Sequence, residues 1–391
     1  MAEDKFLGKK VHFIGINGIG MSALAHLLLE RGAEVSGSDL QLSSGIAPLR
    51  ERGAKISEGH FECNVTDADW VIYSTAISSE NPELQAARRK AIPVLHRAQL
   101  LSLLAGEHEL IAVTGSHGKT TTTAMIAWIL QDAGLEPTWV LGGRLLPGGA
   151  NSQAGRGPWW VVEADESDAS FLHLRPQHLV ITNLDQEHMD YYKSLSHMEE
   201  VYTALLERIR PGGCLYWNQE DERLRRLAKG RSGAQSFGCG SNADLRFEVL
   251  SREAWTLTGL YCRHREPLGR LRLPLIGEHN LGNAAAALSV ALNLGIPARK
   301  ALVALESFPG LARRCHLRGE SHGVRLVDDY AHHPTEVAST LSALAGEKGK
   351  GRLVVVFQPH RYSRTQALAD SFQKCFISAD KVVITDIYAA G

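Results

Sequence analysis

Glycine, lysine and hydroxyl side chains come together over Gly115–Thr123 in a pattern suited to holding a polyphosphate. The apolar run Leu110–Val113 reads as a buried strand. Gly115-Ser116-His117-Gly118 reads as a turn, and Lys119 with Thr120, Thr121, Thr122 and Thr123 as the start of a helix. Glycines let backbone N–H groups face an anion, the helix N-terminus adds partial positive charge, and the lysine reaches the outer phosphates. The Thr120 hydroxyl is then placed to ligate Mg²⁺. Only Ser116 and His117 separate the two glycines, which is shorter than the common phosphate-loop spacing. An ordinary strand-to-helix turn could have this composition, but the flanking strand and helix are the context that phosphate binding requires.

Two further groups of residues could do chemistry. The apolar strand Trp159–Glu163 runs into VEADESD, where Glu163, Asp165, Glu166 and Asp168 crowd a strand end. A solvated acidic loop would look the same. Carboxylates beside a phosphate loop are, however, what a Mg²⁺–ATP site needs, because Mg²⁺ is shared between carboxylate oxygens and substrate phosphates. Leu179–Thr182 is the next strand, and Glu187-His188 follows it. Near the N-terminus, the strand Val11–Ile14 turns through Gly15-Ile16-Asn17-Gly18-Ile19-Gly20 into a helix over Met21–Arg31, and the strand Glu34–Gly37 ends beside Asp39. The glycine order differs from the dinucleotide fingerprint, so a nicotinamide cofactor is a weak reading. A diphosphate on the same helix N-terminus would use the same physics. Asp39 is either a ligand contact or a turn and N-cap residue.

The elements that carry these residues alternate between strand and helix, which implies parallel sheets in an α/β protein. Before Gly106 the pattern continues with the strand Trp70–Ser74, the helix Pro82–Lys90 and the strand Pro93–Leu95. After the acidic cluster come the helix Glu199–Arg208 and the strand Gly213–Trp217. Short antiparallel strands are expected between Ser236 and Leu275, then an alanine-rich helix, Ala284–Leu294, and a helix over Ala298–Leu305. Phe308-Pro309-Gly310 with Arg313 and Arg314 suits a hinge, and arginine suits a transferring phosphoryl group. Beyond it, the strands Val324–Val327 and Leu353–Phe357 lead into DDYAHHPTE and FQPHRYSRT.

The segments TGSHGKTTT, GINGIGMSALA, SGSDL, STAI, DDYAHHPTE and FQPHRYSRT resemble those of the Mur ligases, which build the peptide of bacterial cell-wall precursors. The resemblance implies a three-domain α/β fold. A Rossmann-like UDP-sugar-binding domain would span 1–106, a P-loop central ATPase domain 107–309, and a Rossmann-like amino-acid and closure domain 310–391. The last is expected to be truncated, since the family's third domain continues beyond KVVITDIYAAG. UDP would lie on Gly15, Asn17, Gly18, Ile19, Gly20, Met21, Ser38, Asp39 and Ser74. ATP would lie on Gly115, Ser116, His117, Gly118, Lys119, Thr120 and Thr121, its base at His279 and Asn280 and its ribose at Asp328 and Asp329. Magnesium would be held by Thr120, Glu163 and His188. Lys119, Glu163, His188, Arg314 and His332 would be catalytic, and His332, Arg361 and Arg364 would face the muramyl carboxylate and the amino acid. The family's usual Asp-His is Glu187-His188 here, which leaves residue 187 without an assigned role. The activity implied is ATP-dependent joining of L-alanine to UDP-N-acetylmuramate through an acyl phosphate. Rivals are a ligase that adds a tripeptide to the same nucleotide sugar and a nucleotide-binding module without turnover.

Composition fits a globular protein: 391 residues, 44% hydrophobic and 22% charged, with a formal net charge of -1. That charge gives no bulk field for nucleic acid or an anionic membrane. No apolar run approaches a membrane span, and the N-terminus lacks a signal-peptide core. The six cysteines form no CxxC pair and read as reduced thiols in a cytoplasmic protein. Oligomeric state is not legible.

Overall fold

The structure, a computed structural model, describes residues 5–253 and 255–389. Met1–Asp4 of the expected first unit and Ala390–Gly391 of the expected last turn lie outside the described residues. The first sheet has five parallel strands in the order Lys55–Glu58, Glu34–Asp39, Lys10–Ile14, Trp70–Tyr73, Val94–His96. Its order reverses at Lys10–Ile14, and the glycine turn leaves the carboxyl end of that strand, where open α/β sheets place ligands. The helix after the turn runs Ile19–Glu30, starting earlier than the apolar pattern suggests.

The second sheet has ten strands built around Glu109–Thr114, the strand before the phosphate loop. Trp159–Glu163 pairs parallel on one side and His178–Ile181 on the other. Cys214–Asn218 and Ala234–Gly238 extend the parallel run. The region after Ser236 is a correction: Ala234–Gly238 is parallel, and only Leu245–Glu253, Thr256–Arg263 and Glu266–Leu273 form an antiparallel meander, of longer strands than expected. The helix Lys119–Asp132 packs on this sheet beside His279–Asn293. Ala284, Ala285, Ala286 and Ala287 are fully buried, so small side chains bring the two helices close and Thr122 Oγ1 donates to Asn283 Oδ1 at 3.2 Å.

An unexpected helix, Arg97–Ala105, joins the two sheets. Its Leu100, Leu101 and Leu104 belong to one continuous core that contains Val11, Phe13 and Leu24 from the first sheet region and Leu110, Trp160 and Leu179 from the second. Burying each leucine is worth roughly 2 kcal/mol, enough to make the junction part of the fold.

Beyond Pro309 the strands form two small sheets. His316–Ser321 and Val324–Asp328 form an antiparallel hairpin, and Val354–Phe357 pairs parallel with Lys381–Ile384 in a separate two-stranded sheet. The helix Pro334–Glu347 contributes Val337 and Leu341 to a small core with Phe357 and Cys375. Among the described residues no helix is long and apolar enough to cross a membrane. All six cysteines are free thiols.

Candidate active site at the junction of three segments

The glycines of the phosphate loop are required by close approach. Gly115 and Gly118 have φ of +120° and +82°. A Cβ on Gly115 would come within 2.4 Å of Thr182 Oγ1, and one on Gly118 within 2.6 Å of Asn283 Oδ1. The loop is pinned by Thr182 Oγ1 and Asn183 Nδ2, which both donate to the His117 carbonyl. Lys119 Nζ donates to the carbonyls of Gly115 (2.6 Å) and Ser116 (3.0 Å) and to Glu166 Oε1 (2.8 Å). Burial alone would lower the Lys119 pKa, but Glu166 and Glu163 raise it, so the side chain stays cationic.

Glu163 sits beside the first turn of the loop helix. Its Oε1 accepts from Thr120 Oγ1 at 3.1 Å and its Oε2 from the Gly142 N–H at 2.7 Å. A Cβ on Gly142 would strike that carboxylate, so glycine makes room for it. Glu166, Glu187 and His188 form a second donor set, with ligand atoms within 4.8 Å of one another. Glu166 Oε2 is buried without a hydrogen-bond partner among the described residues. Burial, with Asp165 and Glu187 adding to it and Lys119 opposing, pushes the Glu166 carboxyl up to about 8. His188 holds a left-handed backbone (φ 54°), uncommon for a non-glycine residue, and this aims its ring at Glu166. The oxygen donors, the orphaned oxygen and the neighbouring phosphate loop all fit Mg²⁺. The expected set therefore divides: Thr120 with Glu163, and His188 with Glu166 and Glu187.

The remaining acids of VEADESD, Asp165 and Asp168, pair with residues of the first segment. Arg97 Nη2 donates to Asp165 Oδ2 at 2.5 Å, and this guanidinium holds the Asp165 pKa at about 2 against burial. Asp168 accepts from Thr75 Oγ1 and faces His96 at 3.6 Å. These two acids fasten the first sheet to the second. Asn151 Nδ2 does the same from the other edge, donating to the Ile19 carbonyl at 2.8 Å.

A cavity of about 370 Å³ has Gly18, Ile19, Gly20, Met21 and Ser74 of the first segment on its wall together with Ser116, Gly118, Lys119 and Thr120 of the phosphate loop. Glu163, Glu166, Glu187, His188, Arg314 and His332 line it too. A neighbouring cavity of about 560 Å³ is lined by His117, Thr121, His279, Asn280 and Asp329, with Phe237, Phe247 and Phe308 as apolar walls. The third segment closes both through charged contacts. His117 Nε2 lies 3.0 Å from Asp185 Oδ2 and Nδ1 lies 3.2 Å from Glu336 Oε1. Thr335 Oγ1 donates to Asp185 Oδ2 at 2.9 Å. Glu187 faces Arg364 at 3.5 Å and His332 at 3.9 Å.

Some expected residues lie apart from these cavities. Asp328 pairs with His316 within the hairpin and lines neither. Arg361 is exposed and also lines neither. Gly15, Asn17, Ser38 and Asp39 shape the glycine turn from behind: Asp39 Oδ2 accepts from the Asn17 N–H at 3.0 Å. Sequence reasoning missed Arg97, Asp185 and Glu336. Glu336 was marked only by its place in DDYAHHPTE, four residues after His332, and Arg97 by nothing in its local sequence.

Comparison with known proteins gives consistent matches along the chain. The profile of the Mur ligase family, catalytic domain, matches residues 10–109; that of the Mur ligase middle domain, 113–291; and that of the Mur ligase, glutamate ligase domain, 313–390. A UDP-N-acetylmuramate–L-alanine ligase of Aquifex aeolicus is 44% identical over 384 residues, covering 98% of this chain and 84% of that protein. The crystal structure of the UDP-N-acetylmuramate–alanine ligase of Thermotoga maritima superposes with a TM-score of 0.87 at 32% identity, over 97% of this chain and 86% of that one. A structure from Neisseria meningitides, a ligase of UDP-N-acetylmuramate and L-alanyl-γ-D-glutamyl-meso-diaminopimelate, gives 0.71 at 27% identity, over 78% of this chain and 99% of that one.

Proposed function

This chain belongs to the Mur ligase family, and from that premise we propose that it joins L-alanine to UDP-N-acetylmuramate, with conversion of ATP to ADP and phosphate, in cytoplasmic synthesis of peptidoglycan precursors. The observation that carries this reading is the shared cavity. The turn over Gly18–Met21, the phosphate loop and the acids Glu163 and Glu166 face one space, so a nucleotide sugar and ATP can react across it. The muramyl carboxylate takes the γ-phosphoryl group, and the alanine amine then attacks the acyl carbon and releases phosphate.

The residues divide this work by position and charge. Lys119 meets the phosphoryl oxygens with a charge that stays on across the working pH range. Mg²⁺, held by Thr120 and Glu163 and at a second point by Glu166, Glu187 and His188, would offset further charge there. Arg314 lines both cavities and can follow the charge as it moves to the leaving ADP. His332 Nδ1 donates to the Tyr330 carbonyl at 2.9 Å, which leaves Nε2 as the acceptor. Burial lowers the His332 pKa, so the ring is neutral near pH 7 and Nε2 can take a proton from the alanine ammonium. His279, Asn280 and Asp329 hold the nucleoside of ATP, and Arg364 orients the acceptor carboxylate. The third segment excludes water that would hydrolyse the acyl phosphate.

Phosphate release measured with ATP, UDP-N-acetylmuramate and each L-amino acid in turn tests the proposal. Turnover is expected with L-alanine and only when all three substrates are present. Preference for a tripeptide would move the assignment to the recycling reaction, and no turnover with any acceptor would leave a binding module.

A further inference from the structure

The first sheet buries a carboxylate that neither the phosphate loop nor the metal site uses. Glu83 is 0% exposed. It lies in the first turn of the helix Pro82–Arg89, whose start is fixed by Asn81: Oδ1 accepts from the N–H groups of Glu83 (2.9 Å) and Leu84 (3.2 Å), with Pro82 following. Donors from two other segments converge on the carboxylate. Ser38 Oγ donates to Oε2 at 2.5 Å, and His60 Nδ1 lies 3.1 Å from the same oxygen. Asn64 Nδ2 donates to Oε1 at 2.5 Å, and the Phe61 N–H at 3.4 Å. Burial would raise a lone carboxyl pKa; the nearby His12 ring, 3.6 Å away, and hydrogen bonds from Ser38 and Asn64 hold Glu83 below its usual range.

A buried anion costs more than an apolar side chain of the same volume, so its ordering role matters. What it orders is the strand end beneath the glycine turn. The Ser38 carbonyl accepts from the N–H groups of Gly15 (2.8 Å) and Ile16 (3.0 Å), and Asp39 next to it holds the Asn17 N–H. Beneath them a Cβ on Gly37 would come within 2.6 Å of Ile16, so strand and turn are in direct contact. We propose that Glu83 is a positioning residue for the nucleotide-sugar pocket: by fixing Ser38 it holds the Gly15–Gly20 turn in the shape that takes the nucleoside diphosphate. The inference rests on reading that turn as the UDP-sugar site.

Full-chain protein carrying Glu83→Gln or Glu83→Ala is titrated with UDP by calorimetry and assayed at steady state. The Kd for UDP and the KM for UDP-N-acetylmuramate should rise about tenfold or more, with kcat and the KM for ATP within about twofold. Glu83→Gln keeps the volume, so its loss cannot come from a cavity, and it carries the test if Glu83→Ala fails to fold. Adding Ser38→Ala should cost little beyond the larger single loss, because the two residues act along one chain of contacts. Equal losses in kcat and in the KM for ATP, or losses that multiply in the double variant, would overturn the role. Unchanged UDP affinity in both variants would do the same. A wild type that does not bind UDP would instead refute the reading of the glycine turn, which is a separate outcome.

Discussion

The contact between His117 and the third segment should make stability depend on pH in a calculable way. The His117 ring is 16% exposed and lies between Asp185 at 3.0 Å and Glu336 at 3.2 Å. Burial alone would lower its pKa, but hydrogen bonds to the two carboxylates raise it from 6.5 to about 9. Because the folded value is the higher one, the stabilisation is complete below pH 6.5 and is lost as pH rises through 9. Linkage over that interval gives about 2.5 kcal/mol present at pH 7 and nearly none at pH 10. Other groups titrate in the same range, so the informative quantity is the difference between wild type and His117→Asn. Urea unfolding at steps from pH 7 to pH 10 should show a wild-type advantage that shrinks by about 2.5 kcal/mol. Parallel pH profiles for the two proteins would refute the argument, because they would mean that His117 carries no extra proton when folded.

The remaining predictions concern turnover. Lys119→Ala and Glu163→Ala should each lower kcat about a hundredfold or more while circular dichroism stays that of wild type, since each removes one charged arm of the phosphate site; steady-state phosphate release checks this, and wild-type rates in Lys119→Ala would show the glycine loop to be only a turn. Glu187→Ala should lower kcat about tenfold, because it removes the carboxylate shared by Arg364, His332 and His188, and Glu187→Asp should fall between the two. An unaltered rate in Glu187→Ala would remove residue 187 from the site.

What was legible in the chain was local. Strand, glycine turn and helix lie within 24 residues at each nucleotide site, and φ and close approach dictate the glycines there. The fate of VEADESD was not legible, because it depends on partners far away: Arg97 is 68 residues from Asp165, and Thr75 is 93 from Asp168. Four acids within six residues look alike in sequence, yet Asp165 and Asp168 fasten the sheets through distant partners while Glu163 and Glu166 contact the phosphate-loop helix. The strand Val324–Val327 was found by its apolar residues, but its pairing was not, because Val324 and Leu326 are 69% and 65% exposed and no burial pattern chooses a neighbour for them. Asp328 and Arg361 were carried over with their motifs, and the hairpin and the exposed loop place them away from both cavities.

The charges around the smaller cavity suit a site for divalent cations. Glu163, Asp165, Glu166, Glu187 and Glu336 line it, against Arg97, Lys119 and Arg314. Arg97 is committed to Asp165, Arg364 faces Glu187 and His117 faces Glu336, which leaves Lys119 and Arg314 beside Glu163 and Glu166. Carboxylates at this position would repel a polyphosphate unless further positive charge is supplied. Burial and the neighbouring carboxylates raise the Glu166 pKa, and the ion pair with Lys119 opposes that shift. A magnesium ion at this carboxylate would offset the crowded negative charge and attract the phosphates. The acids that crowd the cavity are thus the ones that would hold a metal, and the lysine they surround keeps its charge because of them.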